Sequence, residues 1–245
     1  MLRHFGRRRT FGHNLKLAVL LSATAGIVNV AGFISFSIYT TNVTGHVAGF
    51  SKELAESHWS FAGTIALWML LFLFGAFISN VLIRVVGKKH PRFSHTLPLL
   101  IEAFILLFVG YLGEHKADGP AKDHLLSGML LFAMGMQNAM VTLVSGYVVR
   151  TTHLTGLFTD LGIELSSFLF ERKKEHVELN KKIILHGSIV LMFISGGIAG
   201  GFLYHYIFYR IFIIAAAILF GAIFYDSTRI ALYRFTKRIK IKLAK

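Results

Sequence analysis

The sequence predicts an all-α membrane protein whose six transmembrane helices form two inverted three-helix repeats. Three observations lead to this prediction: apolar runs of bilayer-spanning length, basic residues gathered at alternate connections, and a segment that recurs 111 residues later in the chain. A span requires about 20 mostly apolar residues. We expect one membrane domain, with repeat one at 15–113, repeat two at 125–225 and a basic cytoplasmic tail at 226–245.

The composition supports a membrane protein. Hydrophobic residues make up 54% of the chain and charged residues 16%, whereas soluble domains carry about 25% charged residues. The net charge of +14 fits cytoplasmic loops, where Lys and Arg accumulate. Because nothing resembles a base-reading module, we expect no nucleic-acid partner. The chain has no cysteine, which excludes disulfides, thiolate catalysis and Cys-based metal sites.

Six apolar runs are the predicted spans, and they lie at 15–39, 60–83, 97–113, 125–148, 183–205 and 207–225. The last two meet between Tyr204 and Arg210, which must form a turn because one continuous helix would be far too long for a bilayer. A further apolar stretch, Leu154 to Phe170, contains two carboxylates. We interpret it as a helix that lies in the interface or re-enters the membrane partway.

The basic residues predict the orientation. If both termini are cytoplasmic, the cytoplasmic segments hold 22 of the 26 Lys and Arg residues, and the outside holds only Lys52, Lys116, Lys122 and Arg210. Cytoplasmic connections carry such an excess in multi-pass proteins. An even number of spans follows, since both termini are basic.

An internal repeat is the clearest pattern in the sequence. Residues 40–54 read TTNVTGHVAGFSKEL and residues 151–165 read TTHLTGLFTDLGIEL. Six identities occur at a constant separation of 111: Thr40/Thr151, Thr41/Thr152, Thr44/Thr155, Gly45/Gly156, Glu53/Glu164 and Leu54/Leu165. Upstream, Asn29 matches Asn138 once two residues are inserted. We call 40–45 the first box and 151–156 the second box.

Each repeat would contain three spans, so the second copy would enter the membrane with the opposite polarity. Such inverted three-plus-three repeats build transporters, including each half of the major facilitator fold. The predicted architecture therefore resembles half of a major-facilitator-type transporter.

Three motifs carry a resemblance to a known family: TTNVTGH at 40–46, AMGMQNA at 133–139 and TTHLTGLFTDLG at 151–162. With these motifs, the chain resembles the YoaK-like family of uncharacterised bacterial membrane proteins over nearly its whole length. The resemblance implies a multi-pass protein of the bacterial cytoplasmic (inner) membrane. It implies no particular chemistry.

The boxes supply the first candidate site residues, Thr41, Thr44, Thr152 and Thr155. Gly breaks a helix readily, and Thr hydroxyls satisfy freed backbone groups or cap the next helix. A half-helix that starts near Thr44 or Thr155 would direct unpaired N–H groups towards an anion or a polar substrate. Alternatively, the boxes are only turns and caps.

Polar residues within apolar runs supply the other candidates, since such residues line polar pathways or join helices through hydrogen bonds. Glu102 is either a proton carrier or a packing residue in the middle of the third span. Asp160 and Glu164 stand four apart and share one helix face, which could bind a cation or simply face water. The remaining candidates are the amides Asn29, Gln137 and Asn138.

Two functions remain open. The first is a small secondary transporter or permease, supported by the repeat, the boxes and the intramembrane polar residues. The second is a non-transporting membrane scaffold or regulatory subunit, supported by the lack of a substrate motif and by the basic tail. We expect no enzymatic activity, cofactor or metal. The expected partners are the lipid bilayer, an unknown small molecule or ion, and a second copy of the chain in a homodimer or other homo-oligomer.

Overall fold

The computed structural model describes residues 10–90, 93–114, 119–170 and 176–225, and within these ranges all regular structure is helical. The described helices are α1 (Phe11–Phe36), α2 (Val43–Ala55), α3 (Trp59–Lys89), α4 (Thr96–Glu114), α5 (Pro120–Ser145), α6 (Leu154–Phe170), α7 (His176–Ile207) and α8 (Arg210–Tyr225). The predicted all-α class is therefore confirmed. The predicted tail at 226–245 lies outside the described residues.

Five helices are long and apolar enough to cross a membrane. They are α1, α3, α4, α5 and α7, with 26, 31, 19, 26 and 32 residues. The chain is thus a multi-pass membrane protein. The sixth predicted span corresponds to α8, whose described part is about 24 Å long at 1.5 Å per residue, less than the roughly 30 Å of a hydrocarbon core. The count of six spans stays a prediction.

The connections follow from local backbone geometry. The predicted turn between the last two runs is confirmed: α7 ends at Ile207, Phe208 has a left-handed φ of 47°, and α8 begins at Arg210. The helix α6 covers the stretch predicted to be helical without spanning. The first box is followed by a helix of its own, α2, for which the sequence indicated only a start near Thr44.

Two helix pairs form the centre of the fold: α1 packs along α7, and α3 packs along α5. Glycines allow each close approach. A β-carbon on Gly26 would overlap the carbonyl oxygen of Phe193, and one on Gly196 would overlap that of Ala23. The backbones of α1 and α7 are therefore in direct contact, an arrangement that small residues permit in membrane helices.

The α3–α5 pair has the same contacts at corresponding positions. A β-carbon on Gly135 would overlap the carbonyl oxygen of Phe72, and one on Gly75 would overlap that of Phe132. Corresponding residues are separated by 109 positions between α1 and α5, as for Gly26/Gly135, Ala23/Phe132 and Asn29/Asn138, and by 121 positions between α3 and α7, as for Phe72/Phe193 and Gly75/Gly196. One helix crossing thus occurs twice in the molecule.

The other helices surround these two pairs. Gly110 of α4 lies against Ile213 of α8, and α4 also packs on α5. The box helices are peripheral: α2 packs on α3 and α6 packs on α7, and most of their side chains are exposed. Their N-terminal ends, however, lie next to the central pairs, as the contacts of the two boxes demonstrate.

Candidate functional site: a cavity between the two boxes

The first box runs back along α1. This helix ends at Phe36, and Ser37 adopts a left-handed φ of 56°, which reverses the chain. Asn29 then accepts two hydrogen bonds at its Oδ1 atom, from the backbone N of Thr41 at 3.1 Å and from the Thr41 hydroxyl at 2.9 Å. Because Asn29 lies about 10 Å before the end of α1, the start of α2 is placed beside the body of α1.

Two further contacts fix this return of the chain. The rings of Phe33 and Tyr39 are stacked, with 4.4 Å between centroids. One turn into α2, the buried His46 ring forms a hydrogen bond of 2.8 Å with the Tyr39 carbonyl oxygen. The first box is therefore a well-defined turn that specific side-chain contacts hold in place.

The second box follows a similar reversal at the end of α5. Gly146 and Tyr147 both have a φ of 67°, and the Ser145 hydroxyl accepts a 2.9 Å hydrogen bond from the Val149 backbone N. Helix α6 begins at Leu154 and α2 begins at Val43, so the two starts are separated by the same 111 residues as the sequence repeat.

The glycine of each box makes room for the residue that precedes the helix. The Asn42 side chain caps α2 by accepting a 3.0 Å hydrogen bond from the Gly45 backbone N. A β-carbon on Gly45 would lie 2.8 Å from the Asn42 amide nitrogen, and one on Gly156 would lie 2.5 Å from the His153 ring. The boxes therefore share one steric arrangement, with Asn42 replaced by His153.

A cavity of about 860 Å³ lies between the two boxes. Seven repeat-related pairs line it: Asn29/Asn138, Tyr39/Arg150, Thr41/Thr152, Asn42/His153, Val43/Leu154, Thr44/Thr155 and Phe72/Phe193. Met69, Leu73, Ala76, Thr142 and Tyr147 complete the lining. We call this space the box cavity. Its volume suits a small molecule.

The two repeats are not in the same state at this cavity. Asn29 is bonded to Thr41, whereas the buried Oδ1 atom of the corresponding Asn138 has no hydrogen-bond partner within the described part of the chain. The equivalent bond, from Thr152 to Asn138, is therefore missing there. One box is tethered to its spanning helix and the other is not.

Six predicted site residues line the box cavity: Asn29, Asn138, Thr41, Thr44, Thr152 and Thr155. The other four lie elsewhere. Gln137 is buried and donates a 3.2 Å hydrogen bond to the Leu21 carbonyl, which joins α5 to α1. Glu102 is fully buried in α4, and neither carboxylate oxygen has a hydrogen-bond partner among the described residues.

The two predicted carboxylates of α6 have different surroundings. Asp160 is exposed, whereas Glu164 is buried with its Oε2 atom 3.1 Å from the Nδ1 atom of His186 on α7. This contact attaches α6 to α7. Although the two residues stand one helical turn apart, only Glu164 takes part in it.

A group of potential metal ligands lies at the turn between α2 and α3. One ligand atom from each of Glu53, Glu56 and His58 falls within a 4.8 Å range. Lys52 forms ion pairs with both carboxylates, since its Nζ atom lies 3.2 Å from Glu53 and 3.1 Å from Glu56. The hydrogen bond from His58, and to a smaller extent the one from Lys52, lowers the pKa of Glu53. The group is an ion-pair cluster that joins the end of α2 to the start of α3.

Sequence reasoning missed Arg150, Tyr39 and the phenylalanine pair Phe72/Phe193 as lining residues. Tyr39 and Arg150 immediately precede the first residues of the two boxes, so extension of the repeat alignment by one residue upstream would have found them. The phenylalanines carried no local signal, because their position depends on how α3 and α7 pack.

Comparison with known proteins supports the assignment of family. The model of a protein family of unknown function, DUF1275, matches residues 17–225. The chain belongs to this family. It is also 26% identical over 176 residues to the UPF0700 transmembrane protein YoaK of Bacillus subtilis, an alignment that covers 71% of this chain and 77% of that protein. No solved structure matches the chain. The resemblance noted from the sequence motifs is thus confirmed.

Proposed function

We propose that the protein is a small secondary transporter of the cytoplasmic membrane, in which six spans form two inverted repeats around the box cavity. The observation that carries the proposal is the lining of that cavity by seven repeat-related pairs. In transporters with inverted repeats, the substrate site lies at the repeat interface and is formed by discontinuous helices. The proposal involves translocation of a solute and no catalytic step.

The inverted arrangement is supported by the duplicated glycine crossing. The pair α1–α7 corresponds to the pair α5–α3, which is the relationship that a two-fold axis between the repeats would generate. With three spans in each repeat, α1 and α5 cross the membrane in opposite directions, so the axis would lie in the membrane plane. The positive-inside distribution of Lys and Arg supports cytoplasmic termini.

The different states of the two boxes suggest how the cavity would change its access. In the structure, repeat one carries the Asn29–Thr41 tether and repeat two lacks its counterpart. Exchange of these two conformations would form an Asn138–Thr152 bond and release Asn29. The cavity would then open to the opposite side of the membrane, since the repeats are inverted. A transporter needs two such states of comparable free energy.

Cysteine labelling tests the proposal without a known substrate. The chain has no native cysteine, so Thr44→Cys and Thr155→Cys introduce single reporter thiols in the cavity lining. A membrane-impermeant thiol reagent is applied from each side in turn. The controls are Ser57→Cys, which we place outside, and Lys89→Cys, which we place inside.

A transporter is expected to expose each cavity thiol to both sides, while each control reacts from its own side only. A non-transporting scaffold with a static pocket would expose both cavity thiols to one and the same side. The latter result would remove the transport proposal in favour of the scaffold. The predicted homodimer is independent of this result, since each protomer contains a complete cavity.

A further inference from the structure

The charges of the box cavity are unbalanced. Arg150 is the one permanently charged residue among the described lining residues. The described lining includes no carboxylate. Arg150 makes no ion pair or hydrogen bond with another described residue, so its charge remains available to a solute.

The backbone adds partial positive charge of the same sign. Residues at the first turns of α2 and α6, including Thr44 and Thr155, line the cavity. The first backbone N–H groups of a helix have no partner within the helix, and its dipole is positive at that end. Two helix N-termini and an unpaired guanidinium therefore act on one partly open cavity.

The positive charge belongs to one repeat. The residue that corresponds to Arg150 in repeat one is Tyr39, and the residue that corresponds to His153 is Asn42. The shape of the lining is thus shared between the repeats, whereas its charge is not. The boxes can therefore have a structural role that both repeats share, whereas a role in selecting the solute by charge falls to repeat two, because Arg150, directly before the second box, corresponds to the uncharged Tyr39.

We propose that the box cavity binds a small anion and that Arg150 determines this charge preference. Guanidinium pairs with oxyanions such as carboxylates and phosphates through parallel hydrogen bonds. The threonine hydroxyls and asparagine side chains of the cavity lining supply neutral donors. The inference rests on the proposed function for its biological meaning and names the substrate class of the same site. Arg150 is exposed, so its replacement leaves no buried gap.

The first test measures the electrostatic potential at the cavity directly. Thr155→Cys in the cysteine-free chain is reacted with two methanethiosulfonates of similar size, the anionic ethylsulfonate and the cationic ethyltrimethylammonium derivative. Each rate is divided by the rate with free 2-mercaptoethanol. We expect the anionic reagent to be favoured, and Arg150→Gln to reduce this preference at least about fivefold, because the loss of one positive charge near the thiol slows the anionic reagent and speeds the cationic one.

Two matched variants control this measurement. Arg150→Lys retains the charge and should retain most of the preference. Arg84→Gln removes an arginine of α3 that bonds Asn80 outside the cavity lining, and it should leave the preference unchanged. A preference for the cationic reagent, or a preference that survives Arg150→Gln, would overturn the proposal.

The second test measures binding by thermal shift of the purified protein. The panel contains sodium salts of phosphate, sulfate, nitrate, formate, acetate and citrate, with choline chloride, guanidinium chloride and neutral sugars for comparison. We expect at least one anion to raise the melting temperature by several degrees, and Arg150→Gln to abolish that rise. Stabilisation by cations or sugars alone, or by no compound in the panel, would contradict an anion site. Both tests use protein in detergent and do not measure transport. The proposal of an anion site can therefore fail while the proposal of two-sided access stands, and the reverse.

Discussion

The side chain of Asn29 accepts two hydrogen bonds from Thr41 and thereby holds the start of α2 against the body of α1. The corresponding residues of the second repeat, Asn138 and Thr152, line the same cavity without this bond. The pair Asn29–Thr41 thus distinguishes the present states of two otherwise similar boxes.

Asn29→Ala is expected to destabilise the protein by about 1–3 kcal/mol, because it leaves the backbone N–H and the hydroxyl of Thr41 without their acceptor. Asn138→Ala is the matched control, since its Oδ1 atom accepts no bond within the described structure. Thermal denaturation of both purified variants measures the difference. Equal losses would show that the Asn29–Thr41 bonds contribute little.

Gly26→Ala and Gly135→Ala should each destabilise the protein by about 1–3 kcal/mol, since overpacking a tight contact costs this much. Each added methyl group would meet a backbone carbonyl of the partner helix. Gly63→Ala and Gly187→Ala are the controls, because a β-carbon at either position meets nothing within 4 Å. They should be neutral or stabilising by up to about 1 kcal/mol.

The glycine prediction also tests the equivalence of the two crossings. If they correspond, the melting temperatures of Gly26→Ala and Gly135→Ala should fall by similar amounts. A large loss in one variant and none in the other would indicate that the two helix pairs differ in their contribution to stability.

The sequence predicted local features better than long-range ones. The starts of α2 and α6 follow the 111-residue separation, because the turn and cap that begin each helix depend on neighbouring residues such as Asn42 and Gly45. The close approach of Gly26 to Phe193 was not predicted, since it depends on the pairing of helices far apart in the chain.

For the candidate site as well, the sequence predicted the residues of the repeat better than those whose position depends on distant contacts. Six of ten candidate residues line the box cavity because they belong to the repeat or to its symmetric extension, Asn29/Asn138. Glu102 was chosen for its position in an apolar run, which indicates burial but not which neighbours a side chain meets. Arg150 was counted only as a loop charge, because its access to the cavity depends on the turn after α5.

Glu102→Leu is expected to keep or raise the stability of the protein, by up to about 3 kcal/mol. A buried carboxyl group without a described partner carries a desolvation cost that an apolar side chain of similar size removes. Glu102→Gln is the control that keeps a buried polar group. A melting temperature well below that of the wild type for Glu102→Leu, with Glu102→Gln unaffected, would reveal a partner that requires a polar group at this position.

Reporter fusions test the predicted orientation. A fusion after residue 118 should report an outside location, and a fusion after residue 175 should report the cytoplasm, since the positive-inside distribution places the two connections on opposite sides. The alkaline phosphatase and green fluorescent protein activities of matched fusions measure this. The reverse pattern at either site would contradict the six-span arrangement and the inversion of the repeats.

The exchange of the two box conformations is tested most directly by the ratio of outside to inside labelling of Thr155→Cys, measured alone and together with Asn29→Ala or Asn138→Ala. Removal of the Asn29 tether should shift this ratio about tenfold towards the exchanged state, because loss of about 1.4 kcal/mol changes a two-state equilibrium by that factor. Asn138→Ala should shift the ratio in the opposite direction, since it removes the tether of the exchanged state. Shifts in the same direction, or no shift with either variant, would contradict exchange between inverted repeats.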